Sequence, residues 1–85
     1  MPARKRIVEY GQYIVSHPGI YGGDLTFKGT RIPVKDVLYM LVKGWDRDRI
    51  SAAYDGRISH EAIAEAIGLA REALMKQTEK RRRAA

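Results

Sequence analysis

The apolar residues of this chain change period once, at Pro33, and the change divides it into a short extended part and a longer helical part. Ahead of Pro33, Tyr13, Ile14 and Val15 form a compact β-prone run closed by His17-Pro18-Gly19. Leu25 and Phe27 then alternate with Thr26 and Lys28, a pattern that gives a strand one apolar and one polar face. Two short strands lying side by side are predicted. Gly22 and Gly23 tolerate positive φ and suit the turn before the second strand, and Gly29-Thr30 breaks it. Pro33 fixes its own φ and pushes Ile32 into the β region, so a helix can start only at Pro33 or Val34. Residues 22–34 thus hold a turn, a strand and a helix entry in succession.

From Val34 the apolar positions follow a helical period, with Val34, Val37, Leu38, Leu41 and Val42 on one stripe that ends at Gly44. Tyr39 and Met40 fall off this stripe, which leaves them either exposed or covered by a second subunit. Trp45 is placed to pin the connection, and Asp46 is a good N-cap for a short second helix over 47–54. Asp48 in its first turn suits the macrodipole, Ile50, Ala53 and Tyr54 are expected to face inward, and Asp55-Gly56 stops it. Ser59 caps a third helix of some five turns on the stripe Ala62, Ile63, Ala66, Ile67, Ala70, Ala73 and Leu74. Gly68 weakens that helix by about 1 kcal/mol relative to Ala unless something packs closely there. The small residues Ala62, Ala66 and Ala70 permit a close helix approach, either by the first helix or by a second copy. Beyond Met75 the apolar signal fails and a fraying charged end is expected.

The fold class that follows is mainly α with a small N-terminal β-hairpin, a three-helix bundle with the outline of a homeodomain-like helix-turn-helix. Residues 1–12 read as a basic flexible arm, 13–75 as one domain and 76–85 as a basic tail.

At 85 residues the chain holds one domain. A chain of this size buries only about 60 to 65% of the surface its unfolded state exposes. With Cys absent and only His17 and His60 as imidazoles, disulfide and metal staples are ruled out, which leaves self-association as the remaining source of stability. Tyr39, Met40, Ala66 and Ala70 are the candidate contacts for a homodimer or higher homo-oligomer. No apolar run approaches the length of a membrane span, and the basic start leads into Tyr and Gln rather than a signal-peptide core, so a cytoplasmic address is expected. The formal charge of +6 divides into +3 at Arg4, Lys5 and Arg6, +4 over 76–83, and −1 for the body between. Such basic ends on a near-neutral body suit an acidic partner.

Candidate chemistry is sparse. His17 before Pro-Gly reads as a turn residue, and Asp46 with Asp48 reads as helix-start electrostatics. Lys28-Gly29-Thr30 reverses the order of a phosphate loop and lacks its strand-loop-helix frame. No metal-ligand cluster and no cofactor motif is present, so the expectation is a non-enzyme. For DNA, Arg4, Lys5, Arg6, Arg47, Arg49 and Arg57 are phosphate-contact candidates. The third helix opens on Ser59, His60, Glu61 and Glu65, whereas a major-groove reader needs Arg, Asn, Gln or Lys there. Arg31, between a strand break and Pro33, reads as structural or interfacial, placed to bridge turn carbonyls or a carboxylate such as Asp24 or Asp36.

Gly23, then Gly29-Thr30-Arg31-Ile32-Pro33-Val34, an apolar helix to Gly44, an Asp-capped short helix ending at Tyr54 and Ile58-Ser59 opening the last helix together form a recognisable pattern. It resembles the domain-of-unknown-function 433 family, described as VapB-like antitoxins, over roughly residues 13–74. The resemblance implies a homeodomain-like helix-turn-helix protein encoded beside a PIN-like nuclease toxin and neutralising it. The pattern departs where Asp55 stands in place of an expected Pro, and where Asp24-Leu25 follows Gly23 in place of a small or basic residue and Pro. Because PIN-type nucleases gather carboxylates around a divalent metal, Lys80, Arg81, Arg82 and Arg83 become the toxin-binding candidates. Two other readings stay open: a DNA-binding regulator without a toxin, and a self-associating structural module.

Overall fold

A computed structural model describes residues 6–84. The expected hairpin is present as β2 (Ile14–Ser16) and β3 (Leu25–Phe27), antiparallel with Ile14 opposite Phe27 and Val15 opposite Thr26. A further strand, β1 (Val8–Glu9), pairs with the other edge of β2, Val8 opposite Ser16. It lies within the segment read as a flexible arm, and a two-residue strand leaves too little alternation to be seen in sequence. The sheet order is β1-β2-β3.

A 3-10 turn, Tyr21–Gly23, joins β2 to β3 and is held by the Ser16 hydroxyl, which donates to the Gly23 carbonyl at 2.6 Å. Tyr21 itself sits at φ 49°, so the left-handed part of the turn starts one residue before the glycines. After β3, the Thr30 hydroxyl donates to the Phe27 carbonyl at 2.8 Å and accepts from the Ile32 amide at 3.0 Å, which folds the chain back. The Phe27 amide then reaches the Ile32 carbonyl at 3.1 Å, and Pro33 leads into α1 (Val34–Val42) as its extended N-cap.

Gly44, at φ 95°, closes α1 in a Schellman turn: its amide bonds the Leu41 carbonyl and the Trp45 amide bonds the Met40 carbonyl. Asp46 caps α2 (Arg47–Ala53) by accepting from the Arg49 amide at 2.8 Å. The same Schellman pattern ends α2, but the left-handed residue is Asp55 at φ 57°. A Pro, with φ locked near −65°, cannot take that conformation, so Pro would not fit this turn at position 55. Ser59 caps α3 (His60–Ala84), its hydroxyl accepting from the Ala62 amide at 3.0 Å.

The core is made by Ile14 and Phe27 from the inner sheet face, Ile32, Val34 and Val37 from the helix entry, Ile50 of α2, and Ile58, Ala62, Ile63 and Ala66 around the start of α3. α1 lies against β3, and α3 against β2, α1 and α2. Several expected positions differ. Thr26, assigned to a polar strand face, is fully buried, and Val15 opposite it on the same face is buried too. Leu25 keeps to the inner side but lies at its margin and is exposed. Val42 is 82% exposed, on the side of the last turn of α1 away from the half-buried Met40 and Leu41; Ala53 is likewise exposed. Met40, placed off the stripe, is half-buried and packs on the core.

The largest difference is α3, which runs 25 residues rather than five turns. Its inward stripe ends at Leu69, and every residue of 70–84 is exposed, Ala70, Ala73 and Leu74 included. The basic end is helical as far as Ala84. Ala, Arg, Glu, Leu, Met, Lys and Gln are all strong helix formers, and Arg81, Arg82 and Arg83 lie at the negative end of the macrodipole. This projecting helix explains a radius of gyration of 14.5 Å, where a compact chain of this length has roughly 12 Å.

Candidate partner-binding surfaces

The cationic residues do not form one face. Arg4 and Lys5 lie outside the described residues, and Arg6 is exposed just ahead of β1. Arg47 and Arg49 occupy the first turn of α2, with Arg49 stacked 3.8 Å above the Trp45 ring. Around them stand Asp46 and Asp48, and Asp48 pairs with His60 at 2.8 Å, joining the starts of α2 and α3. Glu61 is exposed in the same first turn of α3. This corner therefore carries about as much negative as positive charge. Arg57, in the loop from α2 to α3, lines the outer side of the sheet instead, next to Lys28 and Arg31.

Glu65 is a residue whose role the sequence did not disclose. Read there as a carboxylate hostile to DNA, it accepts from the backbone amides of Gln12 at 2.9 Å and Tyr13 at 2.7 Å and fastens the segment between β1 and β2 to α3. Gly11 gives the only sequence signal, and it is faint: a Cβ there would lie 2.6 Å from that carboxylate.

Arg31 is exposed, with its guanidinium 5.6 Å from the Tyr21 ring centre, and it forms none of the expected bridges. Asp24 is taken by Lys35 at 3.0 Å, and this hydrogen bond raises the Lys35 pKa above its ordinary value. Partial burial, and then the charge of Asp36, raise the pKa of Tyr54. The remaining motif residues act on the backbone, with Gly23 at φ 99° and Gly29 at φ 80° in turns, and Thr30 and Pro33 shaping the helix entry. His17 accepts from the Gly19 amide at 3.0 Å and so serves its turn.

The projecting half of α3 is the most distinctive surface. Leu74 (60% exposed) and Met75 (51%) carry exposed apolar side chains beyond the body, and Lys76, Lys80, Arg81, Arg82 and Arg83 follow. Among the described residues only Glu79 answers them, at 3.6 Å from Arg83. Of the self-association candidates, Tyr39 and Ala70 are exposed, Met40 is half-buried, and Ala66 is inside the chain's own core. Among the described residues no group of three or more His, Asp or Glu side chains is placed to hold a metal ion, and no helix is long and apolar enough to cross a membrane.

A three-stranded antiparallel sheet feeding three helices through a Gly-Thr-Arg-Ile-Pro-Val entry defines a small α-rich domain. The chain belongs to the DUF433 family, described as a protein of unknown function, whose profile matches residues 14–70. The match starts at β2 and stops where α3 leaves the body, so β1 and the basic helical end lie outside it. No curated protein and no solved structure matches the chain.

Proposed function

We propose that this protein is an antitoxin-like, non-enzymatic binding module of a type II toxin-antitoxin pair, acting in the cytoplasm to neutralise a PIN-like nuclease and also able to bind its own operator DNA. One observation carries the reading: the outer half of α3 is fully formed yet packs on nothing, offering an apolar stripe at Leu74 and Met75 and then four consecutive cations, Lys80 to Arg83. An apolar stripe with a cationic end suits a groove that leads to a carboxylate cluster, where Arg pairs with carboxylates in bidentate fashion. Family resemblance supplies the partner class.

The second reading is a stand-alone DNA-binding regulator of helix-turn-helix type, favoured by the exposed Arg47 and Arg49 at the start of α2. The balanced charge around them counts against it. Deleting 77–85 separates the two. The antitoxin reading expects the truncated protein to release nuclease activity while operator binding persists. Loss of duplex binding regardless of sequence, with a salt slope lower by about 0.9 per lost phosphate contact, supports the regulator instead. A truncation that changes neither assay refutes any role for the helical end in partner binding.

A further inference from the structure

The outer face of the sheet carries a hollow of about 470 Å³, within the range of small-ligand sites. Its apolar wall comes from Ile7, Val15 and Ile20. The cations along it are Lys28, Arg31 and Arg57. Lys28 is neutralised by Glu9 at 2.9 Å. Arg31 and Arg57 have no carboxylate within 4.0 Å among the described residues, so two of the three cations that line the hollow are uncompensated, the Arg31 guanidinium standing 5.6 Å from the Tyr21 ring centre.

Thr26, on the same sheet face as Val15, lies at the floor with 0% exposure, and its Oγ1 has no hydrogen-bond partner, alone among buried side-chain polar atoms of the described residues. Buried hydroxyls without partners are rare because each forfeits the hydrogen bonds it makes in water. Arg31 lines this hollow, and partner binding through α3 gives it no role.

We propose that this hollow binds a small organic monoanion, an apolar body ending in a carboxylate, with Arg31 and Arg57 pairing the carboxylate and the Thr26 hydroxyl hydrogen-bonded to the ligand. Guanidiniums match a carboxylate in planar, bidentate geometry, and the apolar wall favours a hydrocarbon body over a compact, strongly hydrated anion such as phosphate. Thr26 Oγ1 lies below the accessible surface of the unliganded hollow, so ligand binding has to expose it. The site is separate from the projecting end of α3 and stands whether or not a toxin is the partner.

The test is a titration of the full-length protein with phenylacetate, followed by amide NMR, beside 2-phenylethanol as the uncharged analogue and inorganic phosphate as the anion without a body. Saturable shifts at Val15, Thr26 and Arg31 are expected with phenylacetate, and binding at least about tenfold weaker with either control. Arg31→Gln and Arg57→Gln should each weaken phenylacetate by about tenfold or more. Thr26→Val distinguishes a binding role from a structural one: it should raise the melting temperature, by removing an unpaired hydroxyl, while weakening phenylacetate. No saturable shift, equal binding of either control, or Arg variants that bind as the parent does overturns the site; a Thr26→Val protein that melts lower, or binds unchanged, overturns the part given to the hydroxyl.

Discussion

Glu65 holds the backbone amides of Gln12 and Tyr13 with charge-assisted hydrogen bonds, so removing its carboxylate leaves two donors to find other partners. Glu65→Ala should destabilise the protein by about 1 to 3 kcal/mol, a fall in melting temperature of roughly 4 to 8 °C for each kcal/mol. Glu65→Gln, which keeps one acceptor, should lose less. Gly11→Ala acts on the same contact from the other side, because its Cβ would meet the carboxylate at 2.6 Å. The cost of the double variant Gly11→Ala/Glu65→Ala should therefore be smaller than the sum of the single costs, which a double-mutant cycle by thermal melting checks. Sequence could not have shown this pair: the residues are 52 to 54 positions apart and no local pattern connects them.

Among the elements, α3 joins two regimes. Its first ten residues, 60–69, hold the buried positions, and the rest stands on helix propensity and end charge. Deleting 77–85 should reduce the far-UV helix signal yet leave the melting temperature nearly unchanged, since no core residue is lost. Gly68 lies between these regimes, and a Cβ there would meet nothing within 4 Å, so Gly68→Ala should stabilise the protein by about 1 kcal/mol through backbone entropy alone. At the start of α2, Asp46→Ala removes the acceptor for the Arg49 amide and should cost about 1 kcal/mol, read from denaturant midpoints. The three caps and stops of the helices, at Asp46, Ser59 and Gly44, were legible because each depends on residues within a few positions of it.

For the molecule as a whole, the chain leaves Tyr39, Val42, Ile67, Leu74 and Met75 exposed, more large apolar side chains at α1 and α3 than a core of this size can cover. Self-association through α3 and the end of α1 is the expected consequence, with Tyr39 and Ala70 as contacts and Ala66 excluded by its place in the core. Light scattering at tens of micromolar should give a mass above the 9.6 kDa of one chain, and Leu74→Glu should shift it toward that value. A mass of 9.6 kDa for the parent chain rejects self-association at that concentration.

Local chemistry in the sequence determined where the strands β2 and β3, the helix entry and the caps would fall, because φ restrictions at Pro33, side-chain capping at Asp46 and Ser59, and apolar period all act within one or two turns of chain. Tertiary structure alone decided which side of each element met a partner. Thr26 is buried on a face that alternation assigns to solvent, Val42 is left uncovered at the end of α1, and the body ends at Leu69 while the helix goes on. Burial depends on residues far apart in the chain arriving at one place, and the hollow at Thr26, Arg31 and Arg57 came together for the same reason.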